Sequence, residues 1–199
     1  HGRMGKLQTH EHDAKAHVPF IAAHPERGHG ERRSQLVQLV DIYPTVLAAV
    51  GRPRPEMPLD RPLHGIDLLP VLEDASATTR DCAIAGMFGK SVTLTDSDWI
   101  LHQSPVPQNQ PLYWHGYHLA RFIGYELGPY TDGCRPVLDC PSWPAPTWLS
   151  NKTEDPNELV NLAREQPARL RQMQHKLRQT LIDLKAPAEQ LERLGLTTL

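Results

Sequence analysis

The amino-acid sequence predicts an α/β fold, because it carries clear signals for both strands and helices. Two β-prone runs flank a polar turn at residues 96–98, which makes residues 91–102 the strongest hairpin signal in the chain. After Pro167, large apolar residues recur at alternating spacings of three and four, as they do on one face of a helix. We therefore expect a small antiparallel sheet together with C-terminal helices.

Composition and charge exclude several classes of partner. The chain has 199 residues, enough for one moderate domain or for part of a larger one. Its net charge of −2 gives no electrostatic reason to expect nucleic acid or an anionic membrane as a partner. No apolar run approaches the roughly 20 residues that span a bilayer. The chain begins with His1 rather than Met, which leaves open whether the natural protein extends upstream, and we assign no compartment.

The N-terminal third predicts two short strands and a helix. Residues 18–23 form a short apolar run that is typical of a buried strand, and residues 35–40 predict a second strand. Asp41 is a good N-cap for the helix that follows, with Pro44 in its first turn. Gly51 is expected at the C′ position, where a left-handed backbone ends many helices.

The middle of the chain predicts a short helix and several strands after a proline-rich connection. Residues 64–72 predict a turn followed by this helix. The β-prone runs are residues 82–87, 91–95, 99–102 and 112–114. No element is assigned between His115 and Leu149, because Gly, Pro and aromatic residues alternate there without a period.

The C-terminal region predicts three helices. Residues 155–158 supply an N-cap, a proline at the first helical position and an acid at the third, which is a strong helix start. A second helix is predicted from Pro167, with one apolar face that packs on the sheet. That face consists of Leu170, Met173, Leu177, Leu181 and Leu184. A final short helix is predicted over residues 187–194, closed by Gly195.

Two groups of residues invite a catalytic or metal-binding interpretation. The run His10-Glu-His-Asp13, with His17 beyond it, contains the H-x-H spacing of zinc ligands, but no second cluster accompanies it, so the pattern favours a solvated loop. Cys82, Cys134 and Cys140 form no C-x-x-C pair and have no obvious activating partner. A structural role is favoured for them, and a Cys134–Cys140 disulfide stays open.

Seven segments of the chain follow one another in the order of a known hydrolase family. They are residues 1–6, 18–25, 39–47, 65–72, 92–99, 112–113 and 155–163. Family members commonly show E-H-G-x-x-x-K, V-P-L-I-I-x-x-P, L-V-D-L-Y-P-T-L-L, G-x-S-L-L-P-L-L and D-P-x-E-x-x-N-L-A in corresponding places. The chain thus resembles the C-terminal half of the sulfatase family, within the alkaline-phosphatase-like superfamily.

The resemblance implies a parent enzyme that hydrolyses sulfate esters with calcium or magnesium, using a formylglycine nucleophile. It places Lys6 where the family has a lysine that contacts the sulfate, so Lys6 is the one substrate-binding residue that we assign. No C-x-P-S-R occurs, and we assign no catalytic residue and no metal ligand in this chain. The nucleophile and the main metal ligands are expected upstream, so the chain alone is expected to be inactive and to bind no cation.

Departures from the family pattern leave the substrate class open. His12-Asp13 replaces the usual aromatic-acidic pair, and His17 replaces the usual arginine. A related phosphoesterase or phosphonate monoester hydrolase, or a non-catalytic binding domain, therefore stays an alternative to a sulfatase. His64, His115 and His118 are further candidates for a substrate cleft on side-chain type alone.

The resemblance also predicts how the chain is divided. Residues 1–80 are expected to be the C-terminal portion of the large α/β sulfatase domain, and residues 81–199 a smaller α+β subdomain. The partner of both is the missing N-terminal half of the same protein. Without it, the first portion should expose apolar surface, which predicts poor solubility or self-association.

Overall fold

The computed structural model describes residues 17–26, 30–57, 63–115 and 126–198. These residues form two compact units. The first contains residues 17–83 with residues 95–97, and the second contains residues 84–94 with residues 98–198. The assignment of residues 1–80 and 81–199 to parts of a large and a small sulfatase subdomain stays a prediction.

The first unit is built on two helices. A 3-10 turn, Leu39–Asp41, runs into helix α1, Ile42–Ala49, and helix α2 follows at Leu69–Glu73. Pro44 is buried in the first turn of α1, where its missing N–H costs no hydrogen bond. Gly51 has a φ of +66° and donates its N–H to the Ala48 carbonyl at 3.1 Å, so it closes α1 as predicted.

Two strands predicted for the first unit are not formed. Residues 18–22 are irregular and exposed, with Ile21 at 92% relative exposure, so the prediction of a buried strand there is wrong. Residues 35–38 are also irregular and lead into the 3-10 turn. An extended segment becomes a strand only when a neighbour completes its hydrogen bonds, and the described residues between 17 and 80 form no strand.

A four-stranded sheet in the order β1-β2-β3-β6 lies in the second unit, except for the end residues Ala83 of β1 and Thr95 of β2, which belong to the first. Its strands are β1 at Ala83–Gly86, β2 at Val92–Thr95, β3 at Trp99–Gln103 and β6 at Trp148–Asn151. Strands β2 and β3 are adjacent, as the hairpin signal predicts. Strand β3 pairs antiparallel with β6, and Leu101 lies opposite Leu149; both side chains are fully buried. The centre of this sheet is therefore the core of the unit.

A second, two-stranded sheet pairs β4, Tyr113–His115, antiparallel with β5, Cys134–Pro136. Leu112 and Val137 form a small buried cluster beside it. Strand β4 was expected from its β-prone residues, whereas β5 lies in the stretch where the sequence has no period. The Cys134 thiol donates to the Thr131 carbonyl at 3.5 Å and the Cys140 thiol to the Pro141 carbonyl at 3.8 Å, and the two cysteines form no disulfide.

Helix α3, Pro167–Asp183, packs on β3 and buries Met173, Leu177 and Leu181. Helix α4, Ala188–Arg193, follows, and Gly195 beyond it has a φ of +65°. Both helices are where the sequence predicts them. The fold is thus mixed α/β, with a small antiparallel sheet and C-terminal helices. Among the described residues, no helix has the length and apolar character to span a bilayer.

The helix predicted from Asp155 is absent, and residues 154–165 form a series of turns. Asp155 uses its carboxylate to accept a hydrogen bond from the Val160 amide at 2.8 Å, and its carbonyl accepts one from the Glu158 amide at 3.0 Å. Glu158 has a φ of +52°, outside the helical region. The capping residues are therefore used to close a turn, and the acid at the third position serves a long-range contact.

Candidate functional site

The candidate residues of the sequence are distributed unevenly over the structure. Lys6, the predicted sulfate-binding residue, lies outside the described residues, as do the run His10–Asp13 and His118. His64 is in the first unit and His115 in the second. The role of Lys6 therefore stays a prediction, and the geometry below concerns the other family motifs.

Asp41, from the L-V-D-I-Y-P-T segment, is the centre of a buried polar network in the first unit. Its side chain has no exposed surface and makes two bonds with the Arg80 guanidinium, at 2.5 and 2.6 Å. It also accepts hydrogen bonds from the backbone amides of Gln38, at 2.7 Å, and Ile66, at 3.0 Å. All the bonds that reach its carboxylate come from donors, so this arrangement favours the ionised form.

The balance of forces on Asp41 follows from this geometry. Burial raises the pKa of the carboxyl, but the hydrogen bonds from Arg80 and from the amides of Ile66 and Gln38 outweigh it, and the net pKa is below its ordinary value. Asp41 is consequently a charged anchor. Its oxygens are all engaged with protein donors, which leaves it poorly suited to act as a general base or a cation ligand.

A close backbone contact fixes the same two motif segments to each other. A Cβ at Gly65 would lie 2.0 Å from the Val40 carbonyl oxygen, so only glycine fits there. The Thr45 hydroxyl donates to the Asp41 carbonyl at 2.6 Å and accepts from the Leu68 amide at 3.0 Å. Segments 39–47 and 65–72 therefore act as one structural clamp between α1 and the approach to α2.

Glu158, from the D-P-N-E-L-V-N-L segment, belongs to a second buried network. Its carboxylate bonds to Nε2 of His102 on β3, and Nδ1 of His102 lies 2.7 Å from the Thr93 hydroxyl on β2. All three residues are at most 2% exposed.

The order hydroxyl, imidazole, carboxylate is that of a hydrolytic triad, but its burial argues against catalysis. Attack on an ester requires the oxygen of Thr93 to reach a substrate from solution, and Thr93 is 2% exposed. The network instead joins β2, β3 and the turn that follows β6. Burying three polar groups together is tolerated because each has a hydrogen-bond partner.

An open cleft of about 430 Å³ lies beside β4 and β5. It is lined by Pro111, Tyr113, Cys134, Glu189 and Glu192. Nε2 of His115 bonds to the carboxylate of Glu189, one of the lining residues, at 2.7 Å. Two carboxylates in one cleft repel an anion, so this cleft does not suit a sulfate group.

The described cysteines and metal-binding side chains also form no candidate catalytic site. Burial raises the pKa of the Cys140 thiol above its ordinary value, so the reactive thiolate is disfavoured. Across the described ranges, no group of three or more His, Cys, Asp or Glu side chains is placed to hold a metal ion. These residues do not fit the calcium or magnesium that the resemblance implies.

The sequence identifies the two acids but not their partners. Asp41 and Glu158 stand out as capping residues, whereas nothing nearby marks Arg80 or His102. The reason is separation: Arg80 lies 39 residues from Asp41, and His102 lies 56 residues from Glu158. Cap signatures are local, so they carry no information about such long-range pairs.

Vertebrate arylsulfatases match most of this chain in sequence. Arylsulfatase K of Xenopus laevis is 25% identical to it over 181 residues, covering 89% of this chain and 28% of the relative. Arylsulfatase K of Rattus norvegicus is 29% identical over 173 residues, covering 84% and 24%. That of Homo sapiens is 27% identical over 169 residues, covering 82% and 25%. The chain therefore spans about a quarter of the length of these curated relatives.

Other comparisons add less. No protein-family model matches the chain. A solved sulfatase structure from work on the metabolism of multiple glycosaminoglycans by Bacteroides thetaiotaomicron has a TM-score of 0.49 and 17% sequence identity, over 78% of this chain and 27% of that chain. The resemblance to sulfatases that the seven segments predict is confirmed by the sequence similarity to the arylsulfatases.

Proposed function

From this similarity to the sulfatase family, we propose that the chain is the C-terminal part of a metal-dependent sulfatase that hydrolyses sulfate esters. The observation that supports the proposal is the sequence similarity to arylsulfatase K over more than four fifths of the chain. Because the match covers only about a quarter of those relatives, the activity belongs to a longer protein, called the parent enzyme below.

The proposal divides the work of the parent enzyme between two parts. The part outside this chain supplies the formylglycine nucleophile and the ligands of a calcium or magnesium ion, whose role is to neutralise the sulfate oxygens. This chain supplies Lys6, whose ammonium group contacts the sulfate. A donor of this kind is most effective when it is held where negative charge grows in the transition state.

The rest of the chain acts as a support in this proposal. The clamp around Asp41 and the network around Glu158 hold segments that resemble family motifs, and both use ionisable groups that are buried from any ester. The acids of these motifs are therefore assigned to structure and not to proton transfer. Substitution of either acid should lower the amount of folded enzyme and leave the pH profile of the remaining activity unchanged.

The test compares the 199-residue chain with the product of the complete gene, using an aryl sulfate and the matching aryl phosphate. We expect hydrolysis of the sulfate by the complete product and none by the chain. Activity of the chain alone would contradict the proposal. A preference for the phosphate would assign the parent to the related phosphoesterases, and a complete product that hydrolyses neither would favour a binding domain.

The role of Lys6 is tested in the complete product. Lys6→Ala should lower kcat/KM by about 10- to 100-fold, since a hydrogen bond to a charged group contributes about 1.5–3 kcal/mol. Lys185→Ala is the control, because Lys185 is an exposed lysine that follows α3. Equal activity of the two variants would remove Lys6 from the site.

A further inference from the structure

Helix α1 is turned the opposite way from an ordinary surface helix. Its inner side holds the Asp41 clamp, buried Pro44 and half-buried Thr45, whereas its large apolar residues Ile42, Tyr43 and Val46 are exposed. The outer face of α1 is defined here as Leu39, Ile42, Tyr43, Val46 and Val50, which are 43–65% exposed. A surface helix usually buries such a stripe, so the free energy of this arrangement is unfavourable unless something covers the face.

The exposed residues form one continuous stripe. At about 100° per residue, Ile42, Tyr43, Val46 and Val50 fall within a sector of roughly 100°, which is the width of a core-facing apolar stripe. From residue 39 to residue 51 the only charged side chain is Asp41, and that side chain is buried. A surface without charge suits an apolar protein layer and offers nothing to a polyanion or a nucleic acid.

A second stretch of the same unit is exposed in the same way. Val18, Phe20 and Ile21 are 47%, 41% and 92% exposed, and they belong to the segment whose sequence is typical of a buried strand. Two independent sequence patterns in this unit therefore specify buried elements, and both are uncovered. Such exposure is expected for a layer of secondary structure whose apolar side normally packs against another layer of the same domain.

We propose that the outer face of α1 is the docking surface for the remaining polypeptide of the parent enzyme's large domain. This inference rests on the proposed function for the identity of the occupant. The relatives are long enough to supply it, since the chain covers only 24–28% of their length.

The size of the face favours this occupant over a second copy of the chain. A helix of eight residues is about 12 Å long, and a stable interface between separate proteins buries roughly 800 Å² on each partner. One short helix is too small for that alone. It is large enough as part of a continuous domain, where the two layers belong to one polypeptide and the cost of bringing them together is small.

The test measures whether a thiol on the outer face is covered. Val46→Cys is made in the 199-residue chain and in the product of the complete gene, and the rate of maleimide labelling is compared. Ile182→Cys is the matched control, because Ile182 is also a branched aliphatic residue exposed on a helix, at 36%. The unsubstituted proteins give the background from the three native cysteines.

We expect the Val46→Cys thiol to react at least tenfold more slowly in the complete product than in the chain, with less than a twofold change for Ile182→Cys. Equal labelling of Val46→Cys in both proteins would overturn the inference, as would a complete product no longer than this chain. Protection in the isolated chain that rises with protein concentration, and that Tyr43→Glu removes, would assign the face to a second copy and also overturn it.

The labelling result is independent of activity, so the two proposals can fail separately. A complete product that protects Val46→Cys but hydrolyses no sulfate ester would refute the proposed function and retain an intramolecular docking surface. A complete product that is an active sulfatase and labels freely at Val46→Cys would do the reverse.

Discussion

At the level of single residues, the main result is that two motif acids are buried anchors. Asp41 binds one guanidinium and two backbone amides, and Glu158 binds one imidazole. A buried carboxylate is costly without partners, whereas a fully engaged one fixes the relative positions of distant segments. These contacts give both acids a structural role, because each ties its motif segment to a distant part of the chain.

Asp41→Asn should destabilise the first unit by about 3 kcal/mol, because the amide places a donor against a donor and leaves Arg80 without its charge partner. Urea unfolding followed by circular dichroism measures the loss. Asp74→Asn is the control. Asp74 is an exposed acid that bonds to Ser76 in a turn, and its substitution should leave the unfolding midpoint nearly unchanged.

The same substitution should also change how stability depends on pH. The pKa of Asp41 is lower in the folded chain than its ordinary value of 3.8, so its contribution is fully present above that pH and is lost as the pH falls through the folded pKa. The difference in unfolding free energy between wild type and Asp41→Asn should therefore be constant near neutral pH and shrink below about pH 4. A difference that grows on acidification would contradict this assignment.

Two His–Glu pairs in the second unit allow a matched comparison of burial. His102 and Glu158 are buried, whereas His115 and Glu189 have side-chain exposures of 49% and 25%. Glu158→Ala should cost about 2–3 kcal/mol, because it leaves a buried imidazole without this partner. Glu189→Ala should cost less than about 1 kcal/mol, as for other exposed pairs. Similar losses from the two substitutions, measured by thermal unfolding, would show that burial of the pair does not matter.

At the level of elements, the sequence correctly predicts the helices and strands that depend on local sequence patterns. Helix α3 is found because Met173, Leu177 and Leu181 repeat at helical spacing, and the β2–β3 hairpin because a polar turn separates two β-prone runs. The helix predicted from Asp155 is not formed, because the residues of a helix cap can close a turn equally well. The strand predicted at residues 18–23 is not formed, because a strand also needs a neighbouring strand, which local sequence does not specify.

The candidate site follows the same rule. The residue types of Asp41 and Glu158 mark them in the sequence, but their partners are fixed only by the tertiary fold. Arg80 stands in an ordinary connecting segment, and His102 occupies an inward position on β3 that suits an apolar residue equally well. The buried networks therefore could not be predicted from spacing.

Packing of α3 on the sheet gives a prediction for this element. Leu177 is fully buried in the face that lies on β3, so Leu177→Ala should destabilise the second unit by about 2–5 kcal/mol through lost burial and the cavity left behind. Ile182→Ala in the same helix is the control. It truncates a side chain that is 36% exposed, and it should therefore cost clearly less than Leu177→Ala, about 1 kcal/mol or below. Equal effects would mean that α3 does not pack on the sheet through this face.

At the level of the whole molecule, the two units differ in how well they satisfy their own sequence patterns. In the second unit the apolar side chains at the centre of β3, β6 and α3 are buried, namely Ile100, Leu101, Leu149, Met173, Leu177 and Leu181. In the first unit the most apolar stretches, residues 18–21 and the outer face of α1, are exposed. The first unit thus leaves uncovered two stretches that its sequence patterns specify as buried, and this supports the docking surface proposed above.

In the proposed function the cation ligands lie outside this chain, so metal removal should affect the complete product and not the 199-residue chain. A ligand that binds only the folded state raises the free energy of unfolding by RT ln(1 + [L]/Kd), about 2.7 kcal/mol at a hundredfold excess over Kd. In the described ranges the chain offers no cluster of metal-binding side chains. Adding calcium, magnesium or EDTA should therefore leave the thermal unfolding midpoint of the 199-residue chain unchanged, whereas EDTA should lower both the midpoint and the sulfatase activity of the complete product. A midpoint of the chain that rises with calcium or magnesium concentration would show that the cation ligands are not confined to the rest of the parent enzyme.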